Sequence, residues 1–135
     1  MATPTVESVM TPFPYSIEAD AHAASARTLM TQLHIRHLPV RQGERFVAVI
    51  SERDLTRAAA AGWDLAVTSN TRVQDICSPS VYAVAPATPL VDVVHHMAAH
   101  DVDVTLVMRE DKLAGVFTIS DACRLFAELL TRTGG

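Results

Sequence analysis

Residues 48–54 read Ala48-Val49-Ile50-Ser51-Glu52-Arg53-Asp54, and 67 positions further on residues 115–121 read Gly115-Val116-Phe117-Thr118-Ile119-Ser120-Asp121. In each, a β-prone run ends at a hydroxyl residue that is followed three places later by aspartate, the pattern of a strand entering a helix through a capping box. The same offset holds in both directions along the chain. Upstream it pairs Val6 with Val73, Pro12 with Pro79, Tyr15 with Tyr82, Met30 with Met97 and Val40 with Val107. Downstream it pairs Arg57 with Arg124 and Ala60 with Ala127, while Ile17/Val84, Ser51/Thr118 and Arg45/Lys112 are conservative replacements. A gapless register of this length marks two copies of one supersecondary unit.

Each copy reads as β-α-β-β-α. Tyr15–Ile17 and Tyr82–Val84 are short β-prone runs. The helices that follow place Ala26, Leu29, Met30 and Leu33, and then Leu90, Val93, Val94 and Met97, at i, i+3, i+4 and i+7, so that each buries one face. Thr88-Pro89 reads as an N-cap with proline at the first helical position. Two apolar strands come next, Ile35–Val40 with Phe46–Ile50 and Val102–Met108 with Leu113–Ile119, turned at Gln42-Gly43-Glu44 and Glu110-Asp111-Lys112. Closing helices run over 52–61, stopped by Gly62, and over 120–130. The expected division is a first motif at 1–62, a linker at 63–71 and a second motif at 72–135. One unit of about 60 residues would leave a sheet face bare, so the two are expected to pack sheet to sheet about a pseudo-twofold and to leave a ligand cleft.

Composition narrows the function. A chain of 135 residues, 49% hydrophobic and 19% charged, can fill the core of about one domain. Its 11 basic and 15 acidic residues give a net charge of −4, which offers no broad basic surface for nucleic acid. The start lacks the pattern of a signal peptide and no run approaches the roughly 18 apolar residues of a membrane span, so a cytoplasmic protein without a membrane partner is expected. Cys77 and Cys123 lie outside any CxxC spacing and are expected to be reduced and packed. His95, His96 and His100 include one i, i+4 pair but nothing at fixed spacing completes a metal site, so no metal is expected. No nucleophile–base pair and no GxxxxGK loop appear, and an enzyme is not expected.

The doubled unit, the strand His37-Leu38-Pro39-Val40 and the two hydroxyl-x-x-Asp turns resemble a tandem CBS domain pair, also called a Bateman module. The resemblance implies an α/β (α+β) fold of two CBS motifs and a regulatory role. It also implies an adenosine-containing ligand, AMP, ADP, ATP or S-adenosylmethionine, with no cofactor, and a homodimer that signals to another protein. Carried over by position, Ser51 and Thr118 would meet phosphate and Asp54 and Asp121 ribose hydroxyls, while His37, Leu38 and Pro39, with Val104, Thr105 and Leu106, would lie around the base. Two departures stand out: Ala48 where the family has glycine, which would bring a methyl group toward the ligand, and Thr105-Leu106 where it has Leu-Pro. Arg36, His37 and Arg53 bring positive charge to the first site, whereas Asp101 and Asp103 border the second, so phosphate is expected to prefer the first. The alternative is a ligand-free CBS pair that serves as a dimerisation adaptor.

Overall fold

The computed structural model describes residues 4–133. Their elements are β1 (Thr11–Pro12), β2 (Ile17–Glu18), α1 (Ala23–Leu33), β3 (His37–Gln42), β4 (Arg45–Ser51), α2 (Glu52–Ala60), α3 (Val73–Ile76), β5 (Tyr82–Val84), α4 (Leu90–His100), β6 (Val104–Arg109), β7 (Lys112–Thr118) and α5 (Ile119–Thr133), with a 3-10 turn at Val6–Ser8 before β1. The doubled β-α-β-β-α order is therefore present, as the fold class expected. No helix among the described residues is long and apolar enough to cross a membrane.

The chain forms two compact units whose boundaries do not coincide with the repeats. The first unit is Tyr15–Val81, and the second joins the residues up to Pro14 to those from Tyr82 onward. The stretch that leads each repeat is thus built into the other repeat's unit. In the second unit Val6 N donates to Thr88 O (2.9 Å), Glu7 N to Pro86 O (3.1 Å) and Leu90 N to Pro4 O (2.8 Å). In the first, Val73 N donates to Ala21 O, Gln74 N to Ala19 O and Ala23 N to Thr71 O, each 2.9 Å. Every one of these bonds has its counterpart 67 residues away. The bonds to Pro4 and Thr71 satisfy helix-start amides that would otherwise lack a partner. This corrects the expected N-cap: Pro89 itself takes the cap position of α4, and no side chain caps the helix.

Within each unit the sheet chemistry repeats. In the first, the sheet order is β2-β3-β4, with β2 parallel and β4 antiparallel to β3. In the second it is β1-β7-β6-β5, with β5 parallel to β6 and β1 and β7 antiparallel to their neighbours. The parallel pairs are joined through α1 and α4, as a parallel pairing requires. Each hairpin closes through two residues, Gly43-Glu44 and Glu110-Asp111, with positive φ at Gly43, Glu110 and Asp111. Both hairpins slip register at the same place, after Val40 and after Val107. His34 and Asp101 end α1 and α4 in the left-handed conformation, so Asp101 is a helix stop and not part of a strand.

Alternation along the strands selects the core. Leu38, Val40, Ala48 and Ile50 lie on one face and pack with Ala26, Met30, Leu55 and Val73. In the second unit Val107 and Phe117 pack with Val6, Val93 and Met97. Leu65, from the expected linker, is also buried in the first core, while Trp63 is about half exposed. Val94, expected on the buried face of α4, is exposed, and so is Cys123, expected to be packed. Ile119, Phe126, Leu129 and Leu130 of α5 are also exposed.

Candidate functional site

The expected site residues sort into the two units. In the first, β4 runs into α2 at Ser51, whose register partner on β3 is His37. Ser51 Oγ accepts from Asp54 N (3.1 Å) and Asp54 Oδ2 accepts from Ser51 N (2.8 Å), a complete capping box. Glu52 N donates to Arg36 O (2.9 Å), which fixes Arg36 beside the helix start. Its side chain is exposed and lies 4.0 Å from Glu52, a contact that water screens and that holds it loosely. Arg53 is exposed on the first turn of α2. The unit therefore gathers Arg36, His37, Ser51, Arg53 and Asp54 around one strand–helix turn. The positive end of the α2 dipole adds to the charge of the two guanidiniums in favouring an anion.

The second unit repeats the frame with different chemistry. Asp121 N donates to Thr118 Oγ1 (3.1 Å), Thr118 N to Asp121 Oδ2 (2.9 Å), and Ile119 N to Asp103 O (3.0 Å). Val104 faces Thr118, where the first unit has His37, and Ser120 stands where it has Arg53. Asp103, in place of Arg36, puts negative charge beside the turn.

The remaining expected residues divide by face. Leu38 is wholly buried among the core residues of the first unit, and Pro39, also buried, points to the opposite face with Val49. Thr105 shares the face of Phe117 and is fully buried, while Val104 and Leu106 take the other face. What Leu38 and Thr105 can offer a ligand is backbone. The Thr105 hydroxyl is unusual in its own right, since it is buried without a hydrogen-bond partner among the described residues. Ala48 departs from its expected place: its methyl group is packed in the first core. Gly115 is explained by the close approach of β1, where an added Cβ would stand 2.7 Å from Thr11 O and 2.8 Å from Met10 Sδ.

Sequence reasoning missed the residues that the leading segments bring to these turns. Thr11 Oγ1 donates to Asp121 Oδ1 at 3.4 Å. Cys77 approaches Asp54: burial chiefly, then the Asp54 carboxylate, pushes its thiol above the ordinary value, with a smaller push from Asp75 and an opposing pull from a backbone hydrogen bond. The available signal was the identity of Val6 and Val73, apolar in polar surroundings ahead of each repeat. Elsewhere, Tyr82 stacks on His96 at 3.8 Å, and His96 neighbours His100 at 4.3 Å. Among the described residues no group of three His, Cys, Asp or Glu could hold a metal ion.

The two α+β units, each turned at a hydroxyl-x-x-Asp box, are two copies of one domain. The CBS domain matches twice, at residues 6–61 and 73–128, and the chain belongs to that family as a tandem CBS pair. Among solved structures it is similar to a protein assigned to acetoin utilization (AcuB) from Vibrio cholerae, with 26% identity, TM-score 0.77, and 98% of this chain and 97% of that one covered. It is also similar to CBSX2 in complex with AMP, with 25% identity, TM-score 0.74, and 93% and 97% covered. The CBS domain pair of MJ0100, in complex with 5′-methylthioadenosine and S-adenosyl-L-methionine, shares the fold at 19% identity and TM-score 0.79, with 94% and 98% covered. No curated protein matches the sequence.

Proposed function

We propose that this protein is a ligand-sensing regulatory module that binds an adenosine-containing nucleotide at the Ser51–Asp54 turn and signals to a partner protein by a conformational shift. The observation that carries the reading is the state of Asp54. Its side chain is 7% exposed, and one carboxylate oxygen is spent in the capping box. The other has no hydrogen-bond donor among the described residues, its nearest cation being Arg57 Nη1 at 3.7 Å. A nearly buried carboxylate with an open acceptor suits ribose hydroxyls, while Arg36 and Arg53 supply charge for phosphate. The AMP in CBSX2 supports the ligand class. The module acts by binding and not by catalysis: a ligand that prefers one arrangement of the protein shifts the population toward it.

A second copy is the expected partner in assembly. Ile119, Phe126, Leu129 and Leu130 expose apolar surface along α5, which an antiparallel crossing of two α5 helices centred on Phe126 would cover. The two unpaired cysteines suit a reducing compartment such as the cytoplasm.

Thermal unfolding with AMP, ADP, ATP and S-adenosylmethionine tests the ligand reading. A ligand at 100 times its Kd adds about 2.7 kcal/mol of stability. No shift with any of the four at millimolar concentration overturns the sensor reading in favour of the adaptor. Phe126→Glu should convert a dimer to a monomer in light scattering; a wild-type chain already monomeric at high concentration refutes the dimer.

A further inference from the structure

Two capping boxes of identical design leave their aspartates with different hydrogen-bond partners. Among the described residues the outer oxygen of Asp54 accepts no hydrogen bond, and Arg57 Nη1 lies 3.7 Å away, too long for one. At Asp121 the same oxygen, Oδ1, accepts from Arg124 Nη1 at 3.0 Å and from Thr11 Oγ1 at 3.4 Å, while Oδ2 is occupied by Thr118 N. Both oxygens of Asp121 therefore already have donors within the chain, Thr11 and Thr118 from the second unit's sheet and Arg124 from the next turn of α5. A ribose presents two hydroxyl donors, and binding it there would first require these partners to leave.

The difference traces to the leading segments. Thr11 lies on β1, where pairing to β7 through Thr11↔Val116 and Pro12↔Gly115 fixes its backbone. Its counterpart in the first unit is Ser78, joined to β4 by the single bridge Val49↔Ser78. Ser78 is exposed and makes no hydrogen bond to Asp54 among the described residues. Charge acts in the same sense, since Arg36 and Arg53 border Asp54 whereas Asp103 and Ser120 stand in their places beside Asp121.

We propose that each chain takes one nucleotide, at Asp54, and that Thr11 and Arg124 are positioning residues that keep the Asp121 carboxylate closed to a second. The inference rests on the nucleotide reading above and adds to it a stoichiometry and a residue-level cause. A module of this kind responds to its ligand through one repeat, with the other serving as a fixed frame.

Calorimetric titration of the full chain with AMP tests it. The wild type should bind one equivalent per chain. Asp54→Asn, which replaces the open acceptor while keeping the side-chain shape, should weaken binding by about tenfold or more, the effect of one lost hydrogen bond to a charged group. Asp121→Asn should leave affinity within about threefold, because its oxygens face internal donors. The double variant Thr11→Val with Arg124→Gln keeps both capping boxes and should open a second site, raising the stoichiometry to two. Its stoichiometry remaining at one overturns the role given to Thr11 and Arg124, even if Asp121→Asn proves unfolded. Two equivalents on the wild type, or loss of binding in Asp121→Asn alone, overturns the single-site inference while leaving the nucleotide reading intact. Absence of binding by AMP, ATP and S-adenosylmethionine alike overturns both.

Discussion

Replacing Gly115 by alanine tests whether the N-terminal segment is an integral part of the second unit. The new Cβ would stand 2.7 Å from Thr11 O, 2.8 Å from Met10 Sδ and 3.2 Å from Met10 Cγ. The methionine can swing aside. The Thr11 carbonyl belongs to backbone that pairs with β7, so β1 must move and both of its register pairs are strained. Overpacking of this kind costs about 1–3 kcal/mol, and the smaller conformational freedom of alanine in the unfolded chain returns about 0.4–1 kcal/mol. A net loss of about 1–2 kcal/mol follows, which for a domain of this size lowers Tm by roughly 3–10 °C. Urea unfolding should show a lower midpoint at unchanged slope, with calorimetry giving the fall in Tm. Ala48→Gly, at the matching place in the first unit, should instead lose about 1 kcal/mol, through a core methyl group and added chain entropy. Gly115→Ala within about 0.5 kcal/mol of wild type would refute the close approach of β1 and with it the packing of the leading segment.

Three further outcomes are expected. Thr105→Val removes a buried hydroxyl that has no partner among the described residues while keeping the side-chain shape, and should stabilise the protein by about 1 kcal/mol in urea unfolding; a loss of stability would show that the hydroxyl is satisfied in solution. Val6→Ala, at a wholly buried position ahead of β1, should cost about 2 kcal/mol, and a neutral result would detach the segment from the core. Cys77 should be alkylated at pH 8 more slowly in the folded protein than in the urea-unfolded chain, because its thiol is pushed above the ordinary value and less thiolate is present. The sign for stability follows: the folded state holds this proton more tightly, so the contribution is present below the ordinary thiol pKa and is lost as pH rises through the raised value. Equal alkylation rates would refute the half-buried setting beside Asp54.

The division between what was legible in the sequence and what was not follows the range of the interactions concerned. The duplication, the β-α-β-β-α order and both capping boxes rest on residues within a few positions of each other, and each has a local signature. The Ser51–Asp54 and Thr118–Asp121 pairs were accordingly placed at their strand–helix turns from spacing alone. Strand ends were read to within about two residues, since alternation fades where a strand leaves the core. Thr88 was misread as a cap because its pairing with Pro89 fits a helix start, yet the amide of Leu90 is satisfied by Pro4, 86 residues earlier.

The charge that separates the two sites, Arg36 and Arg53 against Asp103 and Ser120, was legible in the sequence, whereas the rest of the difference came from contacts between distant parts of the chain. Thr11 meets Asp121 across 110 residues, and β1 explains the glycine at 115, while Ala48 is absorbed by the first core. Sequence periodicity assigns Leu38 and Pro39 to opposite faces of β3, but only the packing shows which face is filled by α1 and Val73. The sequence by itself determined that two equal units would form, because capping and amphipathic spacing are local properties of the chain. Tertiary structure alone decided how each aspartate is engaged, because the exchange of leading segments brings Thr11 to Asp121 and Cys77 to Asp54.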